Sequence, residues 1–186
     1  MSGAGHIDPS NKKIALLIAV LALVLAISET LGKGAQTSAL SYNIEASNLW
    51  SFFQAKTIRM TQVRTAAEAA ELSAADARAD AKAALEKQID AWKKTAARYD
   101  SEPETQEGRK ELAARAKAAE EKRDRALAAY HHYELASGAV QIAIVLASAA
   151  IITNFIALAW IAGGLGLLGI VFCLIAFFAP TAIHLV

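Results

Sequence analysis

Apolar positions pool at three places along the chain, and the stretches between them are charged. From Ile14 the sequence runs IALLIAVLALVLAI without a charge, after Lys12 and Lys13. From Leu135 to Phe178 almost nothing is polar except Ser137, Gln141, Ser148, Thr153 and Asn154. A spanning helix needs about 17–25 apolar residues, so the first block is one short span and the second is long enough for two. Unpaired backbone is too unfavourable in hydrocarbon for anything but helix. The pattern therefore predicts a transmembrane helix over 14–31, a second over 135–153 and a third over 157–179, with the last two separated at Thr153-Asn154-Phe155. The preceding 1–13 segment is small and polar and is expected to be flexible.

Between the apolar blocks the period changes. Leu49, Phe52, Phe53, Met60 and Val63 fall on one helical stripe, flanked by Trp50, within a predicted amphipathic helix over 37–65. Two readings stay open for it: a helix lying on a bilayer surface, with Trp50, Phe52 and Phe53 at the interface, or a face packed on a neighbouring helix or subunit. Lys56 shares the stripe, where its stem can cover apolar surface while the ammonium stays wet. Gly32-Lys33-Gly34 is expected to end or hinge the first helix.

From Ala66 to Glu134 the chain is mostly alanine and charge, which predicts an extramembrane helical hairpin with its turn at 99–108. Leu85, Ile89, Trp92, Ala96 and Tyr99 are spaced 4-3-4-3, a coiled-coil-like seam on the first arm, with Leu112 facing it from the second. Ser101-Glu102-Pro103-Glu104 reads as a capping box for the second arm, although Gly108 leaves room for a later start. Glu111 with Arg115, and Glu121 with Arg125, are i,i+4 pairs worth only about 0.2–0.5 kcal/mol each. They support helix and point to no ligand. The second arm can run straight on into the second span. The fold class predicted is an all-α membrane protein: three transmembrane helices, with a long antiparallel hairpin between spans one and two.

Composition sharpens this reading mainly by exclusion. The 186 residues carry a formal net charge of +1, and no face or segment has a strong basic excess, so nucleic acid is not an expected partner. The single cysteine, Cys173, makes no intramolecular disulfide and lies in an apolar run. Tyr130-His131-His132-Tyr133 invites a metal reading. Adjacent helical positions point about 100° apart, however, and there is no H-E-x-x-H and no cysteine partner, so the four rings, with Trp160, are read as interfacial aromatics. Gly163, Gly166 and Gly169 recur every third residue, where another helix can come close. No nucleophile–base pair, phosphate loop or metal spacing is present, so neither enzyme activity nor a cofactor is expected.

Lys12 and Lys13 favour an inside N-terminus, against the weight of Lys33, Lys56, Arg59 and Arg64. That orientation places the hairpin outside and the Thr153–Asn154 turn inside. A small-x-small site at Ala26-Ile27-Ser28 offers a cleaved signal peptide as the rival, but the first span is expected to be retained.

Three segments together, KKIALLIAVLALVLAISETLGK, SNLWSFFQAK at Ser47–Lys56 and VQIAIVLASAAIIT, resemble the bacterial membrane-protein family called domain of unknown function 4337. The resemblance implies an N-terminal anchor, a charged helical middle and two closing spans in a bacterial membrane. It brings no functional residues. The location expected is a bacterial inner membrane, with the hairpin periplasmic on the orientation that Lys12 and Lys13 favour. The function expected is a membrane-anchored helical scaffold or assembly protein, in contact with the lipid bilayer and self-associating into a homo-oligomer. The alternative is an accessory subunit or pore-forming component of a membrane transport or respiratory complex, with another membrane protein as partner.

Overall fold

The computed structural model describes residues 9–183, so Met1–Asp8 of the expected flexible segment and His184 lie outside the described residues. Four helices follow in order: α1 Pro9–Ala75, α2 Ala79–Asp100, α3 Arg109–Thr153 and α4 Ile156–Phe178. Among the described residues α1 is already helical from Pro9. The chain forms two compact units, Met1–Leu40 with Arg123–Val186, and Ser41–Lys122.

In the first unit α1, α3 and α4 share a core of Ile14, Leu21, Val140, Ala143, Ala147, Ala150 and Ala162. Alanine along α3 lets the backbones approach, and Leu and Val fill the remaining space. The outward positions are also apolar: Leu16, Leu23, Ile142, Val145, Ile152 and Phe177 are all exposed. Among the described residues, three helices are long and apolar enough to cross a membrane: α1, α3 and α4.

The break expected at Gly32–Gly34 does not occur. α1 continues through it, although each glycine weakens a helix by about 1 kcal/mol relative to alanine. A Cβ on Gly32 would lie 3.2 Å from the Tyr133 Cβ, so this glycine serves the α1–α3 contact instead of ending the helix. Around it Thr30, Thr37 and Ser38 return their hydroxyls to the carbonyls four residues back, at 2.7, 2.9 and 3.0 Å.

In the second unit the expected two-armed hairpin is replaced by three helical segments. The first arm is interrupted at 76–78, so 66–75 belongs to α1 and only Ala79–Asp100 forms α2. Leu85, Ile89 and Trp92 pack on α1 at Ala67, Ala70 and Ala74, the small residues leaving room for the large ones. Lys93 Nζ meets Glu71 Oε1 at 2.6 Å across the same contact. Leu112, with Ala116 and Ala119 of α3, packs instead on Ala46 and Leu49 of α1, beside Trp50, Phe52 and Phe53. The Ala46–Phe53 part of the predicted 37–65 stripe thus has α3 against it.

The α2–α3 turn is built differently from a capping box at Ser101. Ser101 Oγ donates to Glu111 Oε1 at 2.6 Å, and the Glu102 amide donates to Glu111 Oε2 at 3.1 Å. Glu111 therefore serves the turn, and its expected partner Arg115 donates to the Gln106 carbonyl at 3.2 Å. α3 starts after Gly108, where a Cβ would meet the Glu102 amide nitrogen and lie 2.7 Å from Ser101 Cα. Only glycine fits there. α3 then runs unbroken to Thr153, and Asn154 turns the chain with φ 53° into α4.

Candidate functional site

Two clusters of polar side chains stand out, one in each unit. In the first unit a groove of about 440 Å³ lies between α1 and α3. That volume is in the roughly 300–1,000 Å³ range of small-ligand sites. Helical spacing sets its walls: Glu29, Lys33 and Gln36 come from successive turns of α1, and Tyr130, Glu134 and Gln141 from α3. Its floor is fixed by Ser28, fully buried, whose Oγ donates to the Tyr133 carbonyl at 3.0 Å and sits 2.9 Å from Ser137 Oγ. Gly138 leaves open space on the α3 side.

The groove's charges are only partly used. Glu29 Oε1 accepts from Gln141 Nε2 at 3.3 Å. Glu134 Oε2 lies 3.8 Å from His131 Nδ1. Glu29 and Lys33 are one turn apart in the order that pairs well on a helix. Among the described residues, however, no ion pair joins them or engages Lys33. The groove thus presents a carboxylate on each helix and a free ammonium, next to the apolar stretch of α1.

The second cluster surrounds Lys56, which is buried. Its Nζ lies 5.3 Å from the Phe52 ring centre and 5.4 Å from that of Tyr99, with Glu107 Oε2 at 3.9 Å and Glu102 Oε2 at 4.0 Å. Arg109 is stacked 5.0 Å over Phe53, donates to Thr57 Oγ1 at 2.9 Å and pairs with Asp100 at 3.2 Å. The Lys110 ammonium bonded to Asp100, helped by the charges of Arg109 and Arg64, holds that carboxyl below its ordinary range. The bond from Arg98 does the same for Glu102, with Thr105 and Lys56 adding to it. Trp50 Nε1 donates to Glu120 Oε1 at 2.9 Å. Each charge here has a partner within the protein, so the cluster locks the α2–α3 turn onto α1 and leaves little for a ligand.

The sequence-derived candidates distribute unevenly over these features. Trp50 and Phe53 meet edge to face at 5.4 Å, and with Phe52 they pack on α3. Of the four rings before the second span, His132 and Tyr133 are buried inside the first unit, whereas Tyr130 and His131 are half-buried. His132 lies against Phe172, and its Nε2 is 3.1 Å from the Pro180 carbonyl. That carbonyl can only accept, so Nε2 carries the proton and Nδ1 is left buried without a partner. The two histidines therefore point to different surroundings. Trp160 is exposed. Gly166 and Gly169 are contact positions, against Leu21 and Val140, but Gly163 faces open space. Leu85, Ile89, Trp92 and Leu112 occupy helix contacts, and Tyr99 faces Lys56. Sequence reasoning gave no site role to Ser28, Glu29, Lys33 or Glu134. The available signal was a Ser-Glu pair closing an apolar run, which reads equally well as a hydrated span end.

These features define an all-helical protein with three helices capable of crossing a membrane. Its family model is Domain of unknown function (DUF4337), matched over residues 10–179, and the chain belongs to that family. No curated protein and no solved structure matches it.

Proposed function

We propose that the protein is a multi-pass, membrane-anchored helical scaffold that associates with further copies of itself and catalyses no reaction. The observation that carries this reading is the outer face of α1 in the second unit. Ile44, Ile58 and Leu72 are 53, 60 and 77% exposed there. Ile44, Ser51, Ile58, Thr65 and Leu72 recur every seventh residue, with Ser47, Gln54 and Thr61 three residues after the first three. All eight are exposed and uncharged; Glu68 follows Thr65 at the same spacing, and the faces around the seam carry Glu45, Arg59 and Glu71. A sustained seven-residue repeat of this kind is a helix-pairing seam, and hydroxyl or amide residues within it fix register at some cost in stability.

A second copy is the partner this seam suits. From Ile44 to Thr65 the seam carries no charge to repel its own image, and an isologous contact sets like against like. In a parallel pair Ile44, Ile58 and Leu72 of one copy meet the same residues of the other, so in-register pairing needs no adjustment. The membrane is proposed to be a bacterial inner membrane, with the Ser41–Lys122 unit on the outer side.

The test is cysteine cross-linking in native membranes, in a Cys173→Ser background. Ile58→Cys is expected to form a disulfide-linked dimer on mild oxidation, and Arg59→Cys, off the seam, is not. Ile44→Glu with Ile58→Glu should shift the purified protein to lower mass in mild detergent. A wild-type monomer in detergent with no Ile58→Cys dimer in membranes would sink the reading. Stoichiometric co-purification of a different membrane protein on this face would replace it with the accessory-subunit alternative.

A further inference from the structure

We infer that the α1–α3 groove of the first unit binds the headgroup of a zwitterionic membrane lipid bearing a primary ammonium. The inference rests on the membrane reading above and goes beyond it, since a scaffold needs no selected lipid.

The chemistry follows from the charges around the groove. Glu29 on α1 and Glu134 on α3 are exposed carboxylates lining one cavity. Among the described residues Glu29 has only the Gln141 amide as a partner, at 3.3 Å, and Glu134 only the His131 ring, at 3.8 Å. Carboxylates accept several hydrogen bonds each, so both retain capacity for N–H donors. A primary ammonium offers three donors and can be shared between them. Lys33, one turn from Glu29, is exposed and has no carboxylate against it among the described residues. With Gln36 on the next turn, it offers cationic and amide donors for a phosphate. The opposite charges of an amine–phosphate headgroup therefore match opposite charges in the groove. An anionic glycerol headgroup would set no donor-rich cation against Glu29 and Glu134, and a quaternary amine has no N–H to give them.

The placement points to a lipid and not to a free solute. α1 is uncharged from Ile14 to Ser28, and Glu29 and Lys33 are the first charges after it. Next to the groove Leu31 and Leu135 are exposed, so acyl chains can lie along the helices while the headgroup enters. Tyr130 at the rim adds an aromatic face to the cation site.

The experiment uses the purified full-length chain in mild detergent, delipidated, with bound lipid counted by native mass spectrometry. The probes are dioctanoyl phosphatidylethanolamine, phosphatidylcholine and phosphatidylglycerol, and free O-phosphoethanolamine. Phosphatidylethanolamine is expected to bind about tenfold tighter than either other lipid, the worth of one charge-assisted hydrogen bond. Glu29→Gln should abolish that preference, and Lys33→Gln should weaken all three lipids, with helicity by circular dichroism unchanged. Equal binding of the three lipids by the wild-type chain overturns the inference without recourse to any variant. So does free phosphoethanolamine binding as tightly as the lipid, which would make the site one for a soluble amine phosphate. Failure of the membrane reading would look different: the chain would stay in the soluble fraction without detergent.

Discussion

Three glycines three residues apart on α4 do unlike things, and a single added methyl separates them. At Gly169 a Cβ would come within 2.5 Å of Val140 Cγ2 and 3.2 Å of the Ala136 carbonyl oxygen, which belongs to a helix backbone. At Gly166 it would meet only the end of the Leu21 side chain, and at Gly163 nothing lies within 4 Å. Overpacking a filled contact costs about 1–3 kcal/mol, and a backbone atom cannot turn away as a leucine tip can. Gly169→Ala is therefore expected to lower the detergent-solubilised protein's thermal midpoint most, Gly166→Ala less, and Gly163→Ala not at all. Equal effects at the three positions would show that the α4 contacts are misassigned. The period of three was legible in the sequence, but which glycine meets a neighbour was not, because it depends on how α1 and α3 lie against α4.

Element boundaries repeat that lesson with different physics. The turns that coincide with the expected ones carry their own chemistry: Gly108 after Ser101-Glu102-Pro103, and Asn154, which takes φ 53° where few other residues do so readily. The turn at 76–78 has no glycine or proline, and it forms where Ala67, Ala70 and Ala74 can meet Leu85, Ile89 and Trp92. Nothing local announces that, so it read as unbroken helix. Gly32–Gly34 erred the other way, since local propensity predicted a stop that tertiary contact overrode. For the site, the apolar blocks and the uncharged interruptions were visible, whereas the groove depends on Glu29 and Glu134 meeting across 105 residues of sequence separation. The α2–α3 turn also has a pH signature. Bonds from Lys110 and Arg98 hold Asp100 and Glu102 below their ordinary values. Groups depressed in this way bind protons less readily folded than unfolded, so their stabilising effect is present above the unfolded values and lost as pH falls through the folded ones. Hydrogen exchange at 101–108 should stay slow above about pH 5, after correction for the intrinsic rate, and gain protection-losing openings below about pH 4. Lys110→Ala should flatten that dependence. An unchanged profile in the variant would remove Asp100 from the account. The effect is modest and salt-sensitive, because both pairs are partly in water.

On the scale of the whole molecule the decisive element is α3, a single helix from Arg109 to Thr153. Its first half is rich in charge and its second is long and apolar enough for a span. If that half crosses a bilayer, the turn before α3 and the turn after it lie on opposite sides. α4 then returns the chain, and an odd number of spans puts the N-terminal lysines and the far end of α4 on opposite sides as well. The orientation proposed above has the first of these inside, on the strength of Lys12 and Lys13. Single cysteines at Thr105→Cys and Asn154→Cys, each with Cys173→Ser, read both ends of α3 against a membrane-impermeant maleimide. In intact spheroplasts Thr105→Cys should label and Asn154→Cys should label only after lysis. The inverse pattern would keep the span and reverse the orientation, giving Lys33, Lys56, Arg59 and Arg64 the deciding weight over the two N-terminal lysines. Labelling of both sites in intact spheroplasts would mean that α3 does not cross. Its exposed Ile142, Val145 and Ile152 would then need a protein partner in place of lipid.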